Sequence, residues 1–204
     1  MILGNSLNRS RLLIGRALLL LAFTMVLLST SYYLPEKTLL HHLNHGIGLL
    51  LISLCILGRF YCTLFIGGRK NEELVTTGPF SVVRNPLYLC SLLGIVGIGF
   101  VSNQLSVMLV LTVGMALVYV PLIRQEEAFL QEKFGQAYVR YCSSVSRLIP
   151  KPSLYQAPHE ISINIKRVHS FLRDALWWLT PVIIIDLIEW SRDAGITIPM
   201  GSIW

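Results

Sequence analysis

The sequence predicts an all-α fold, a polytopic membrane bundle of four to five transmembrane helices with an amphipathic helix beside it on the cytoplasmic side. Of the 204 residues, 53% are hydrophobic and 14% are charged, and the mean hydropathy is +0.62. Soluble domains carry about 25% charged residues, so this chain has too little polar surface to face water on every side. Long apolar runs separated by short basic segments favour a bilayer as its solvent.

The first two apolar runs, residues 12–34 and 46–66, are each long enough to cross the ~30 Å hydrocarbon core as a helix. Arg16 opens the first run, and a signal peptide shows the same order of basic and apolar residues. The run is long for a signal peptide and no small-residue cleavage site follows, so we predict a retained anchor. Arg59 in the second run either snorkels to the interface or faces the bundle interior.

The next two runs, residues 87–101 and 105–122, are separated by three polar residues and therefore predict a tight helical hairpin. Small residues give the first of these helices a face that permits close approach to a neighbouring helix. They are Cys90, Gly94, Gly97 and Gly99.

Residues 124–141 predict an amphipathic helix, because apolar side chains recur every three or four positions. They are Leu130, Phe134, Ala137, Tyr138 and Tyr141. Three prolines at 150, 152 and 158 then indicate a linker. The last apolar stretch, 171–190, is long enough for a fifth span although it contains Pro181.

The distribution of Lys and Arg predicts the orientation of the spans. Basic residues cluster before the first run, between the second and third runs, and after the fourth run. The two other loops together contain a single one, Lys37. The N-terminus and the polar segments 67–86 and 123–151 are therefore expected in the cytoplasm, and the hairpin should bring Tyr88 and Glu126 to the same level.

Several other classes of site are disfavoured. The net charge of +6 flanks apolar runs rather than forming a patch with interleaved aromatics, so no nucleic-acid partner is expected. The four cysteines form no CxxC pair, which argues against a disulfide framework or a zinc site. His41 and His45 would share a helix face, but we place them in an outer loop with Glu36 as the nearest carboxylate, and no metal is expected.

Two motifs carry the functional prediction. The first runs from Gly78-Pro79-Phe80 to Arg84-Asn85-Pro86-x-Tyr88, and the second is Glu126-Glu127-x-x-Leu130 followed by Phe134-Gly135, Tyr138, Tyr141 and 147–150. Together with the hairpin between them, they resemble the isoprenylcysteine carboxyl methyltransferase family and its phospholipid methyltransferase relatives. The resemblance covers residues 65 to 150.

The resemblance implies an S-adenosyl-L-methionine site at the cytoplasmic mouth of the bundle. It makes 67–151 the catalytic core, 1–66 a two-helix anchor and 152–204 a C-terminal extension. The side chains expected at the reacting groups are Arg84, Arg124 and Tyr88. By position, the cofactor contacts would be Leu74, Val75, Phe80, Asn85, Pro86, Leu87, Tyr88 and Glu126.

Physical chemistry assigns roles to some of these residues. Pro86 suits a first helical turn, where no N–H is needed. Glu126 can hold the cofactor's ammonium through a charge-assisted hydrogen bond, and Arg84 or Arg124 can pair with a carboxylate. Many family members have His where this chain has Asn85, and an amide cannot act as a base near neutral pH. The sequence therefore favours an acceptor that is already ionised, such as a carboxylate on a prenyl or lipid substrate.

Two other functions are compatible with the sequence. One is a membrane reductase of the sterol type using NADPH, although the chain has no Gly-rich dinucleotide fingerprint. The other is a non-catalytic membrane assembly protein or small transporter, although the internal repeats typical of transporters are missing.

Overall fold

The computed structural model describes residues 2–31, 38–69, 72–196 and 201–203, and their regular secondary structure is helical apart from one pair of three-residue strands. The predicted all-α class is thus confirmed. The strands are β1 (Ser29–Ser31) and β2 (Gly201–Ile203), which pair in parallel. The helices are α1 (Ile2–Leu28), α2 (Leu39–Ile66), α3 (Pro79–Val82), α4 (Pro86–Val101), α5 (Leu105–Phe134), α6 (Gln136–Ser144) and α7 (Ile165–Asp193).

Two of the described helices, α2 and α5, are long and apolar enough to cross a membrane. Helix α4 is apolar but has 16 residues. Helix α7 has 29 residues with Pro181 inside it, but it is less apolar. The structure thus supports a membrane protein, and the count of four to five spans, including the fifth at 171–190, stays a prediction.

The described residues divide into two compact units. Unit 1 comprises Met1–Ser53, Leu92–Tyr119 and Trp178–Trp204, and unit 2 comprises Leu54–Ser91 and Val120–Trp177. All the residues predicted for the cofactor site and for catalysis belong to unit 2.

The hairpin prediction is confirmed. Helices α4 and α5 are separated by residues 102–104, where Asn103 takes a φ of 52°. Asn tolerates this left-handed conformation better than most side chains. Gly99 meets Met108 so closely across the turn, within unit 1, that a Cβ atom would lie 2.5 Å from the methionine side chain.

The predicted small-residue face is confirmed at Cys90 and Gly97, which meet α2, whereas Gly99 meets α5. In unit 1, a Cβ on Gly97 would lie 2.8 Å from the carbonyl oxygen of Gly48. In unit 2, a Cβ on Gly58 would lie 2.6 Å from the thiol of Cys90. These glycines allow α2 and α4 to approach each other closely.

Three predicted boundaries are wrong. Helix α1 ends at Leu28 rather than 34, because Ser and Thr compete for backbone hydrogen bonds; residues 32–37, including Glu36, lie outside the described part. Helix α2 begins at Leu39 rather than 46, with the Thr38 hydroxyl accepting a hydrogen bond from the His41 amide at 3.2 Å. The histidines at 41, 42 and 45 are therefore helical, not in a loop.

The third wrong boundary is the start of the amphipathic helix. Helix α5 continues past Pro121 and includes residues 124–134. It ends before Gly135, where φ is 51°. That conformation is costly for any residue with a side chain, so the glycine fixes the break. Only α6 is then a separate amphipathic helix, and the linker after it contains a single short 3₁₀ turn at Pro152–Leu154.

Candidate active site

The candidate site in unit 2 gathers α3, the start of α4, the end of α5, helix α6 and the segment 145–156. Prolines begin both helices of the first motif, Pro79 in α3 and Pro86 in α4. Gly78 precedes α3 with φ 60°, and a Cβ there would overlap the Phe65 ring. Gly78 is thus required both for its backbone conformation and for its lack of a side chain.

A buried carboxylate, Glu127, lies at the centre of the site. It accepts hydrogen bonds from Asn85 Nδ2 at 3.0 Å and from Arg147 Nε and Nη2 at 2.9 and 2.6 Å. Arg84 Nη1 lies 3.6 Å from its other oxygen. Two guanidinium groups and an amide thus surround one carboxylate, which locks the first motif to the second.

Arg84 makes further contacts that fix its orientation. Its Nη1 donates to the Cys142 sulfur at 2.7 Å, and its backbone N–H donates to the Ser146 carbonyl at 2.9 Å. Its guanidinium is therefore engaged by groups of this chain. Pairing of Arg84 with a substrate carboxylate stays a prediction.

Glu126 contacts a different part of the site. Its Oε2 accepts a hydrogen bond from the Tyr88 hydroxyl at 2.9 Å, and both residues are half-buried. The hairpin therefore does bring Tyr88 and Glu126 to one level, as predicted. Side chains at adjacent helical positions point about 100° apart, so Glu126 and Glu127 contact different neighbours.

The segment 145–156 is bound to the first motif through its backbone. Lys151 N–H donates to the Val82 carbonyl at 3.0 Å, and Gly78 N–H donates to the Gln156 carbonyl at 2.8 Å. Gln156 N–H donates to the Ser81 hydroxyl at 2.9 Å. The loop after α6 is thereby held against the loop that precedes α4.

An aromatic cluster on α6 supports this network. Tyr138, Tyr141 and Val145 are buried, and Leu74 and Phe134 are among the side chains that pack against them. Tyr141 OH donates to the Phe80 carbonyl at 2.6 Å. Of the predicted apolar positions, Ala137 is exposed instead of packed, because adjacent helical positions point about 100° apart and its neighbour Tyr138 is the one that faces the cluster.

Electrostatics keeps both tyrosines neutral. Burial raises the pKa of Tyr138 well above its ordinary value, and the neighbouring Glu127 charge adds to this rise. Burial likewise raises the pKa of Tyr141, against the opposing effect of Arg84. The hydrogen bonds to Glu127 raise the pKa of Arg147.

A second apolar cluster holds other predicted cofactor residues. Phe80 is buried with Cys62 and Phe65, and Val75 and Leu87 pack against them half-buried. Arg59 reaches the same region, donating to the Ser91 hydroxyl at 2.5 Å. Arg59 therefore faces α4, which decides between the two orientations the sequence left open.

The structure brings most of the predicted residues into one region, with one exception. Arg124 is exposed on α5. Two central residues were missed as functional candidates, Glu127 and Arg147, although both belong to the quoted motifs. The signal was the acidic pair itself, since neighbouring carboxylates on a helix cannot face the same partner.

Known proteins match the part of the chain that contains most of the candidate site. Residues 47–137 match the family model described as phospholipid methyltransferase. The chain is 33% identical over 194 residues to the cobalt-zinc-cadmium resistance protein CzcN of Cupriavidus metallidurans, covering 95% of this chain and 88% of that one. It is 30% identical over 192 residues to the nickel-cobalt-cadmium resistance protein NccN of Alcaligenes xylosoxydans xylosoxydans, covering 94% and 89%. No solved structure matches significantly.

Proposed function

Because this chain belongs to the phospholipid methyltransferase family, we propose that it is an integral-membrane methyltransferase that uses S-adenosyl-L-methionine. The family resemblance found in the sequence is confirmed by the matching model. The observation that supports the activity is the half-buried Tyr88–Glu126 pair, which lies beside the buried Glu127 network inside the matched segment.

The residues present suit the cofactor. Glu126 is a carboxylate with part of its surface accessible, and a carboxylate in a half-dry site binds an ammonium group strongly. Tyr88 fixes the orientation of Glu126, and the apolar side chains of Val75, Phe80 and Leu87 provide a surface against which an adenine ring can pack. The bound cofactor supplies an electrophilic methyl group on a sulfonium.

The acceptor we propose is a carboxylate on a lipophilic or amphiphilic molecule. In such a transfer the sulfur–methyl bond breaks, an oxygen–methyl bond forms, and no proton has to be removed. An amine acceptor would have to lose a proton, and Asn85, whose amide donates to Glu127 and the Arg147 carbonyl, cannot take it. The chain's contribution is then alignment and the exclusion of water.

We further propose that the site faces the cytoplasm and that the acceptor enters laterally from the bilayer. The positions of Lys and Arg support this orientation, since basic residues concentrate in the segments that carry the two motifs. A soluble cofactor and a lipid-embedded acceptor would then reach the site from different directions.

The names of the two relatives suggest a setting for the reaction. Those proteins are named for resistance to cobalt, zinc, cadmium and nickel. We propose that methylation by this chain serves resistance to such ions. A strain lacking the gene should regain growth in cadmium with the wild-type gene and fail to regain it with Glu126→Ala.

A methyl-transfer assay tests the proposed activity. Detergent-purified protein is incubated with S-adenosylmethionine labelled in the methyl group and with either a prenylated cysteine or phosphatidylethanolamine. We expect label in the prenylcysteine ester, loss of it in Glu126→Ala, and normal transfer in Glu132→Ala, an exposed glutamate on the same helix. Label in phosphatidylethanolamine alone would overturn the carboxylate acceptor but retain the methyltransferase.

Absence of transfer to either acceptor would count against the activity as proposed. The reductase alternative makes a different prediction, namely NADPH binding that S-adenosylhomocysteine does not displace. Titrating both compounds into the same preparation separates the two functions.

A further inference from the structure

Two thiols from different helices meet in unit 2, and the proposed methyl transfer uses neither of them. Cys62 lies on α2 and Cys90 on α4, and their side chains are in hydrogen-bond contact. Cys62 is 1% exposed, whereas Cys90 is half-buried. Both cysteines are reduced in the structure, so a dithiol lies between the two helices.

The backbone of α2 makes room for this contact. Gly58 lies one turn before Cys62, so the two residues share one face of the helix. A Cβ on Gly58 would lie 2.6 Å from the Cys90 sulfur, which places this thiol directly against the glycine. Side chains on a helix lean toward its N-terminus, so the Cys62 side chain leans toward the same place. The helix packing and the side-chain contact therefore agree.

No local sequence pattern reveals this pair. The lack of a CxxC motif argued against a disulfide framework. Cys62 and Cys90 are separated in sequence by the end of α2, a loop and α3, and they meet because α4 packs against α2. Only the tertiary structure brings the two sulfurs together.

The surroundings of the two thiols suit redox chemistry. Arg59 lies on α2 beside them, and its positive charge acts on both. Its guanidinium donates to the hydroxyl of Ser91, the residue next to Cys90. Reactive cysteines are found in electropositive, partly exposed surroundings. Cys90 is the partly exposed member of the pair, so it is the thiol that an oxidant reaches first.

We propose that Cys62 and Cys90 are an oxidation site, at which a hydroperoxide converts the two thiols to a disulfide that joins α2 to α4. The Cys90 sulfur attacks a peroxide oxygen, the oxygen–oxygen bond breaks, and an alcohol or water leaves, with sulfenic acid on Cys90. The Cys62 sulfur then attacks the sulfenic sulfur, the disulfide forms, and water leaves. The protons and electrons that the thiols lose are all taken up by the peroxide.

The disulfide also regulates the proposed cofactor site, a consequence that rests on the proposed function. Cys62 and Phe80 belong to one apolar cluster, and Val75 and Leu87 pack against it. A disulfide holds its sulfurs about 2.0 Å apart, closer than two thiols in contact, so its formation draws Cys62 toward α4. A close-packed cluster transmits such a shift to its neighbours. Oxidation should therefore weaken the binding of S-adenosylhomocysteine.

The test treats detergent-purified protein with hydrogen peroxide, then alkylates the remaining thiols in denaturant and analyses tryptic peptides by mass spectrometry. Trypsin cuts at Arg69 and Arg84, between the two cysteines, so their peptides stay together only through a disulfide. The variants are Cys62→Ser and Cys90→Ser. Cys55→Ala, which removes another buried thiol of α2, is the matched control.

We expect the peptides of Cys62 and Cys90 to be joined in the treated wild type and in Cys55→Ala, and to separate after reduction. Neither serine variant should give them. The proposal is overturned if peroxide leaves Cys62 and Cys90 unjoined in the wild type, or joins either of them to another cysteine instead.

Isothermal titration of S-adenosylhomocysteine into the reduced and the oxidised protein tests the regulation. We expect about tenfold weaker binding after oxidation of the wild type, recovery with a reductant, and no effect of peroxide on Cys90→Ser. Equal affinity of the two wild-type states would overturn the regulation. A reduced wild type that does not bind the compound would instead contradict the proposed function, and the peptide analysis would still decide whether the disulfide forms.

Discussion

Glu127 is the residue on which the architecture of the candidate site depends most. Its side chain is 9% exposed and lies within 4 Å of two guanidinium groups, from Arg84 and Arg147. A buried ion pair adds little net stability compared with an apolar core, but removing one partner leaves a buried charge without compensation. The main effect of the network is therefore to fix one arrangement of the two motifs, and its net contribution to stability is small.

Replacing Glu127 by Gln should consequently destabilise the protein. The loss of a buried charge partner costs about 3 kcal/mol, so we expect Tm in detergent to fall by several degrees. Binding of S-adenosylhomocysteine should weaken as well, because the acceptor that holds the Asn85 amide loses its negative charge and the hydrogen bond becomes weaker. Thermal unfolding followed by circular dichroism measures the first effect.

Glu126→Gln is the matched comparison for that experiment. It should weaken S-adenosylhomocysteine binding with little change in Tm, since Glu126 is half-exposed and bonded to a tyrosine hydroxyl. Equal losses of Tm in the two variants would contradict the separate roles assigned to the adjacent carboxylates.

Tyr138 predicts how stability depends on alkaline pH. Its pKa is raised in the folded protein, so the folded state keeps a proton that the unfolded state loses near pH 10. Stability contributed by this group is therefore complete below about pH 10 and declines above it, by about 1.4 kcal/mol per pH unit. Tyr138→Phe should lose stability less steeply between pH 10 and 11 than the wild type, as Tm against pH would show. Identical slopes would mean that the phenol titrates normally.

At the scale of elements, the close contact between α2 and α4 rests on glycine. A Cβ on Gly48 would lie 2.6 Å from the carbonyl oxygen of Gly97, whereas a Cβ on Gly46 would meet nothing within 4 Å. Gly48→Ala should therefore lower the stability by roughly 1–3 kcal/mol through overpacking. Gly46→Ala, two residues away on the same helix, should be neutral or stabilising because alanine favours the helix. Similar Tm values for the two variants would contradict the packing.

The helices themselves were largely predictable because hydrophobic run length is a strong local signal. The runs 87–101 and 105–122 gave the hairpin and its turn correctly. Boundaries set by tertiary or backbone effects were not predictable. Helix α5 ends just before Gly135, where the backbone has a positive φ. Neither Pro121 nor the change in apolar pattern near Arg124 ends the helix.

The features of the candidate site that follow from the motifs and the hairpin could be predicted from the sequence. The features that depend on the direction of individual side chains could not. The meeting of Tyr88 with Glu126 followed from topology. The partition of the acidic pair, with Glu127 turned to Arg147 and Arg84, depends on which face of α5 meets the loop after α6. The rotation of α5 about its own axis, which decides this, cannot be read from a single sequence.

At the scale of the whole molecule, the distribution of Lys and Arg predicts the orientation of the chain in the membrane. In a cysteine-free background, Lys151→Cys should react with a membrane-impermeant maleimide in inverted vesicles and not in intact cells. His42→Cys, exposed near the start of α2, should show the opposite pattern. The reverse result at both positions would place the candidate site outside the cell.

The most direct test of the central claim is isothermal titration of S-adenosylhomocysteine into detergent-purified protein, in the wild type, Glu126→Ala and Glu132→Ala. We expect one binding site per chain in the wild type and in Glu132→Ala, and loss of binding in Glu126→Ala with the helical content unchanged. A folded wild-type protein that does not bind the compound, or a Glu126→Ala variant that binds it as tightly, would contradict the account.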